Sequence, residues 1–194
     1  MASNQERTEK SRTALLEAGR HLFGTHSYAE ISTGMICQRA GVSRGALYHH
    51  FKDKKALLRG VVELEYKRVE DQIDAAADAP YDALEALIEG GDMFFDAMAN
   101  PISKRILLID GHSVLGSEAM NSLDRKTTTK SLFHGIVAAQ KAGRLPDIPA
   151  TALTSMMSGA YDRAVLDGLW DSEEAQLAVR HAIRAVWNGL ARMA

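Results

Sequence analysis

The sequence predicts an all-α protein of about nine helices: an N-terminal three-helix domain over residues 1–56, with a helix-turn-helix at 32–51, and a helical domain over 57–194. Three observations predict it. Apolar residues recur at three- and four-residue spacing, as in Leu15, Ala18, Leu22 and Phe23, and no stretch alternates as a half-buried strand does. Glycines and prolines fall between such stretches, at Gly24, Gly41, Pro80, Pro101, Gly116, Gly143 and Pro149, where helices stop. Charge is uneven: residues 1–56 hold nine Lys/Arg and five Asp/Glu, a balance of +4, so a chain of net charge −2 carries −6 in the remainder. A basic first third on an acidic remainder fits a nucleic-acid reader joined to something else.

Each element follows in order. The first helix spans about Gln5–Thr25. Ser32 or Thr33 opens the second, which runs to Ala40, and Gly41 takes the turn. Ser43 caps a third helix over Arg44–His50, and Asp53 caps a fourth that reaches Asp78 before Pro80. A fifth spans Tyr81–Ala99 and stops at Asn100-Pro101, and a sixth covers Ile102–His112. A seventh covers Ser117–Ala142, the eighth Ala150–Leu169 and the ninth Ser172–Met193.

Composition sets the class. Apolar residues make up 46% of the chain and charged residues 25%, which suits a soluble globular protein. The polar start, Met1–Arg7, has no apolar stretch of the signal-peptide kind, and runs such as Ile106–Ile109 are too short to span a bilayer. A single cysteine, Cys37, suits a reducing compartment. The expectation is a cytoplasmic protein with no membrane partner.

Within 32–51, Met35, Ile36, Ala40, Val42, Leu47 and Phe51 form the set that can meet inside a helical hairpin. The outward set is Thr33, Gln38, Arg39, Ser43, Arg44, Tyr48, His49, His50 and Lys54, rich in groups that bond to phosphates and base edges. A plain structural hairpin has the same shape, so the pattern alone leaves both readings open.

The segment Gly41-Val42-Ser43-Arg44-Gly45-Ala46-Leu47-Tyr48-His49-His50-Phe51-Lys52-Asp53-Lys54-Lys55-Ala56-Leu57-Leu58 closely resembles the DNA-binding segment of the tetracycline-repressor (TetR) family. The resemblance extends back through Tyr28, Gly24, Phe23, Leu22 and Ala18 and covers about residues 8–60. It implies a ligand-responsive transcriptional regulator, a repressor released from a palindromic operator by a small molecule. It also implies roles. Thr33 would hold a phosphate at a helix N-terminus. Arg44, Gly45 and Ala46 would open the recognition helix and face the major groove, with Arg44 alone able to fork onto guanine, and the capping Ser43 is counted with the DNA contacts. Tyr48, His49, His50 and Lys54 would grip the backbone. Where some members carry an arginine this chain has Gly34, so the operator sequence does not transfer.

From about Gly60 the resemblance is one of layout. It implies a sensing pocket among the fifth to eighth helices, for which Phe94, Phe95, Met98, His112, Met120, Phe133, Met156, Met157 and Tyr161 are candidate wall residues. Asp110, His112, Asp162 and Arg163 are candidates for a polar end. The expected effector is small and apolar or amphipathic. The apolar stripes Ala152, Leu153, Met156, Met157, Ala160, Val165, Leu169 and Leu177, Val179, Ile183, Val186, Trp187, Leu190 point to a homodimer through the eighth and ninth helices. No phosphate-cradling glycine motif, nucleophile elbow or His-Glu-x-x-His motif occurs. No enzyme, cofactor or metal site is expected. The rival readings are a helical ligand-binding adaptor and a regulator that activates or needs a co-repressor.

Overall fold

The first apolar stripe winds into α1, Asn4–Thr25, in a computed structural model that describes residues 4–77, 81–167 and 172–194. Leu15, Leu16, Ala18, Leu22 and Phe23 of α1 are buried. α2, Thr33–Ala40, starts at Ser32, whose Oγ accepts the Met35 amide at 3.2 Å. It stops at Gly41, whose φ of 66° would strain any side chain, and the Gly41 and Val42 amides return to the carbonyls of Gln38 and Cys37. α3, Arg44–His50, is capped by Ser43, whose Oγ accepts the Ala46 amide. α4, Lys54–Ala77, follows Asp53, whose Oδ1 accepts the Ala56 amide. These boundaries lie within a residue of those expected. Asp78 and Pro80, where the fourth helix was expected to stop, lie outside the described residues.

α5, Ala83–Ala99, is capped by Asp82 and followed by Asn100 and Pro101. Two later expectations need correction. The sixth helix is three pieces: α6, Pro101–Lys104, a π-helical turn, Arg105–Asp110, and α7, Gly111–Leu115. The Arg105–Asp110 ion pair at 2.9 Å spans the wide turn, and a Cβ at Gly111 would meet the Ile106 carbonyl and the Met120 thioether. The seventh helix is two: α8, Ser117–Asp124, and α9, Thr128–Lys141. Three successive threonines are poor helix formers, and the Asp124 carboxylate takes the hydroxyls of Thr128 and Thr129, so side chains outcompete the ladder there. α10, Ala150–Leu166, and α11, Glu173–Ala191, complete the chain. Leu169, the expected end of the eighth helix, lies outside the described residues.

The chain divides into two compact units. The first comprises the residues up to Glu65 with Pro101–Asn121, and the second Tyr66–Asn100 with Ser122–Ala194. In the first, Phe23, Ile31, Ile36, Leu47 and Leu57 are buried, and so is a carboxylate, Glu65, only 1% exposed. Arg20 grips Glu65 through two hydrogen bonds of 2.6 and 2.9 Å, and the Ser103 hydroxyl donates to it at 2.5 Å, which joins α1, α4 and α6. In the second, Phe95, Met98, Ile136, Val165 and Trp187 are buried. Arg180 and Arg184 of α11 bind carboxylates of α5: Asp92 and Asp96 for the former, Glu85, Glu89 and Asp92 for the latter. No helix among the described residues is long and apolar enough to cross a membrane.

Candidate functional site

The helical hairpin turns one polar face outward. Leu47 is fully buried and seats α3, while Ser43, Arg44, Gly45, Tyr48 and His49 are exposed, Tyr48 by 53%. Ala46 is half-buried, as is Thr33 at the start of α2. Ser43 Oγ spends its acceptor on the Ala46 amide and keeps a hydroxyl proton to give away. Met35, assigned by pattern to the inner set, is instead 36% exposed, because Ile36 and Cys37 are the α2 side chains that turn inward. Position 34 gains a meaning the sequence did not offer. A Cβ at Gly34 would lie 3.1 Å from the Arg44 guanidinium, so the absent side chain makes the space that Arg44 occupies.

Two of the residues expected on this face are bound inward. Lys54 Nζ donates to the carbonyls of Tyr28 and Ile31 at 2.6 and 2.7 Å and stands 4.1 Å from the Tyr28 ring centroid. It clamps the loop between α1 and α2 to the start of α4. Burial pulls its ammonium below the usual lysine range, and only one of its three N–H donors is left for other use. His50 Nε2 lies 2.7 Å from Ser11 Oγ, which is also 2.8 Å from the Thr8 carbonyl. The contact ties α3 to α1, with its donor set by the His50 tautomer. Burial, then the positive neighbours His49 and Arg12, pushes His50 below the ordinary histidine value.

The second unit encloses a cavity of about 480 Å³ lined from α4, α5, α8, α9 and α10. Of the nine wall candidates, Phe94 and Tyr161 line it, with their rings 5.8 Å apart and edge-to-face. Phe95, Met98 and Met157 are buried in the core and do not line it. Phe133 does not line it either, and Met156 is 73% exposed. His112 and Met120 belong to the first unit, with Met120 packed on Gly111. Among the polar candidates, Asp162 lines the cavity, whereas Asp110 is paired with Arg105 and Arg163 with Asp167. Sequence reasoning missed Glu70, Asp74, Asp124 and the Thr128–Ser131 run, all of which line the cavity. Their signal was the threonine-rich break that sequence periodicity ran through. Gly91 is needed at the wall, since a Cβ there would collide with the Tyr161 hydroxyl, which also accepts from Trp187 Nε1 at 3.2 Å.

The two C-terminal stripes divide. Leu153, Met157, Val165 and Trp187 are buried in the second unit. Ala152, Met156, Ala160, Leu177 and Val186 are exposed, along with Leu166, and a Cβ at Gly159 or Gly189 would meet nothing. Each helix thus keeps an apolar outer face after its own core is filled.

Comparison with known proteins adds to this geometry. The family described as "Bacterial regulatory proteins, tetR family" matches residues 15–61, and "Tetracyclin repressor-like, C-terminal domain" matches residues 84–190. The HTH-type transcriptional regulator EthR of Mycolicibacterium smegmatis is 28% identical over 172 residues, covering 82% of this chain and 75% of EthR. UidR of Escherichia coli K12, also an HTH-type transcriptional regulator, is 26% identical over 162 residues, covering 81% of this chain and 80% of UidR. The crystal structure of a TetR-family transcriptional regulator from Pectobacterium atrosepticum superposes with a TM-score of 0.78 at 27% identity, over 97% of each chain.

Proposed function

This chain belongs to the tetracycline-repressor (TetR) family of helix-turn-helix transcriptional regulators, and from that premise we propose that it is a homodimeric repressor released from a palindromic operator when a small molecule fills the cavity of its second unit. One observation carries the reading: α4 is a single unbroken helix that starts at the Lys54 clamp beside the helix-turn-helix and later supplies Glu70, Ile73 and Asp74 to the cavity wall. Its 24 residues span roughly 36 Å at 1.5 Å per residue. A ligand that displaces the cavity end of such a rod moves its other end.

In this reading Ser43, Arg44, Gly45 and Ala46 enter the major groove, with Arg44 forking onto guanine O6 and N7. Thr33, Tyr48 and His49 hold phosphates. The structure argues for different work at two positions: Lys54 fixes the loop that orients α2, and His50 packs α3 on α1 through Ser11. The exposed faces of α10 and α11 cover one another across the two-fold axis, which places two recognition helices about 34–36 Å apart on B-DNA.

The test is reciprocal. DNA from the promoter flanking the gene is bound by the full-length protein, and candidate ligands are titrated with and without that DNA. Coupling of about 1–3 kcal/mol lowers operator affinity by roughly 5- to 150-fold, and operator DNA weakens ligand binding by the same factor. Ligand affinity that saturating operator leaves unchanged overturns the mechanism, and sedimentation as a monomer at micromolar concentration overturns the dimer.

A further inference from the structure

The cavity of the second unit has one sign of charge inside and mixed charge at its mouth. Glu70, Asp124 and Asp162 line it from three different helices, Glu70 buried and the other two half-buried. The basic groups that line it, Lys130 and His134, are exposed and stand at the rim with Asp74. Glu70 is bound by Lys67 at 2.9 Å, and Asp124 accepts the hydroxyls of Thr128 and Thr129. Asp162 has neither a hydrogen-bond nor an ion-pair partner among the described residues. Burial, and then the charge of Asp124, raises its carboxyl to about 7. A carboxylate kept inside without a partner destabilises the folded chain. In a solvent-connected cavity it is also an unused acceptor. The wall beside it is aromatic and aliphatic, with Phe94, Tyr161, Leu87 and Ile73. Aromatic faces and an open carboxylate favour the same guest.

Resting on the reading of this cavity as the effector site, we propose that the effector is an organic cation, a protonated amine or guanidine on an apolar body, whose charged group sits against Asp162 while the body packs on Phe94 and Tyr161. This narrows the apolar or amphipathic class that composition suggests. The groups that set the local charge are Asp124 of α8, Tyr66, Glu70 and Asp74 of α4, and Lys130 and His134 of α9. A bound cation stabilises ionised Asp162, so cation affinity rises from pH 6 to pH 8. Below about pH 7 binding expels a proton.

Calorimetric titration of the full-length protein with three matched probes tests this: 4-phenylbutylamine, 4-phenylbutan-1-ol and 4-phenylbutyrate, at pH 6 and pH 8. The amine is expected to bind about tenfold tighter than the alcohol at pH 8, with the anion weakest, and the advantage shrinks at pH 6. Asp162→Asn removes the amine's advantage over the alcohol. Proton release near pH 7, read from buffers of different ionisation heat, gives a second measurement on the unaltered protein. Equal binding of amine and alcohol, an advantage that survives Asp162→Asn, no proton release, or no binding of any probe at millimolar concentration overturns the proposal. The same probes against operator-bound protein separate it from the reading beneath it. An amine that binds as expected and leaves the operator bound sinks the effector role alone. Release by the alcohol or the anion in preference to the amine sinks the cation alone.

Discussion

Glu65 and Asp162 are both carboxylates drawn out of water, and the two units treat them in opposite ways. In the first unit Glu65 receives two bonds from Arg20 and one from Ser103. In the second Asp162 faces a cavity with no partner among the described residues. The same contrast runs through both units. Inside the first, Lys54, His50 and Ser11 spend their bonds on one another or on the backbone, and the polar groups left over, on Arg44, Tyr48 and His49, point outward. Inside the second, the carboxylate left over, Asp162, lines the cavity. A surface of open polar groups suits a macromolecule, and a concavity of them suits a small molecule. Where a region leaves its hydrogen bonds unmade indicates the size of what it binds.

The strongest way to break the comparison is to orphan the matched pair. Glu65→Ala leaves the Arg20 charge without its partner, and removal of one member of a buried ion pair typically costs about 3–5 kcal/mol. Urea unfolding is expected to show a loss in that range, with operator binding lost as the first unit loosens. A change within experimental error shows that the pair is incidental to the fold.

Asp162→Asn goes the other way. The folded carboxyl titrates near 7 against an ordinary value of 3.8. Between those values the folded chain holds more protons than the unfolded one, so stability falls as pH rises through the window. Above about pH 7 the loss is complete. Asparagine removes it, and the variant should be more stable than its parent at pH 8 by on the order of 1–3 kcal/mol, once solvent access to the cavity is allowed for. At pH 4 the two should melt together. A variant less stable than its parent at pH 8 means that Asp162 has found a stabilising partner and the contrast with Glu65 fails.

How far the sequence carried differs between the units for a physical reason. The first is built from short-range signals: Ser32, Ser43 and Asp53 as caps, Gly41 in the left-handed turn, and Leu47 as the inward knob of a seven-residue helix. Each is decided within a few residues, so the helix boundaries up to Glu65 can be read directly, whereas the Pro101–Leu115 part of the same unit, broken by a π-helical turn, cannot. The cavity is decided by contacts between α4, α5, α8, α9 and α10 that no local spacing encodes. Phe94 and Tyr161 are legible as aromatic, but Phe95 and Met98 have the same pattern and end in the core. The α8–α9 break hid the polar wall, because periodicity runs through Asp124–Thr128 while the side-chain bonds that interrupt it do not register as periodicity.

Lys54→Met sharpens the comparison at a residue that faces both ways. Methionine keeps the apolar stem and removes two charged hydrogen bonds and the contact with the Tyr28 ring, a loss of about 1–3 kcal/mol. If the clamp is the main role, stability falls and operator binding weakens for all sequences, while the slope of log affinity against log salt stays the same. A phosphate contact predicts a slope flatter by about one. Melting curves and a salt series on one preparation separate the two.

Gly34→Ala is the smallest change and bears on the outward face alone. Alanine in place of glycine near the start of α2 favours the helix by up to about 0.5–1 kcal/mol, so the fold should be unharmed or slightly firmer. The new Cβ would sit 3.1 Å from the Arg44 guanidinium and 3.6 Å from Ser32 Oγ. Arg44 is exposed and flexible, so it swings aside without strain, and the only thing disturbed is where its fork points. Discrimination between the operator and a variant with one base pair changed per half-site should therefore fall, by less than the roughly 1–3 kcal/mol that Arg44→Ala removes. The two substitutions together should lose no more than Arg44→Ala alone, because both act through one guanidinium. Additive losses in that double variant place Gly34 in a separate role, and a loss from Arg44→Ala that is equal for every sequence makes Arg44 a backbone contact instead of the base-reading residue.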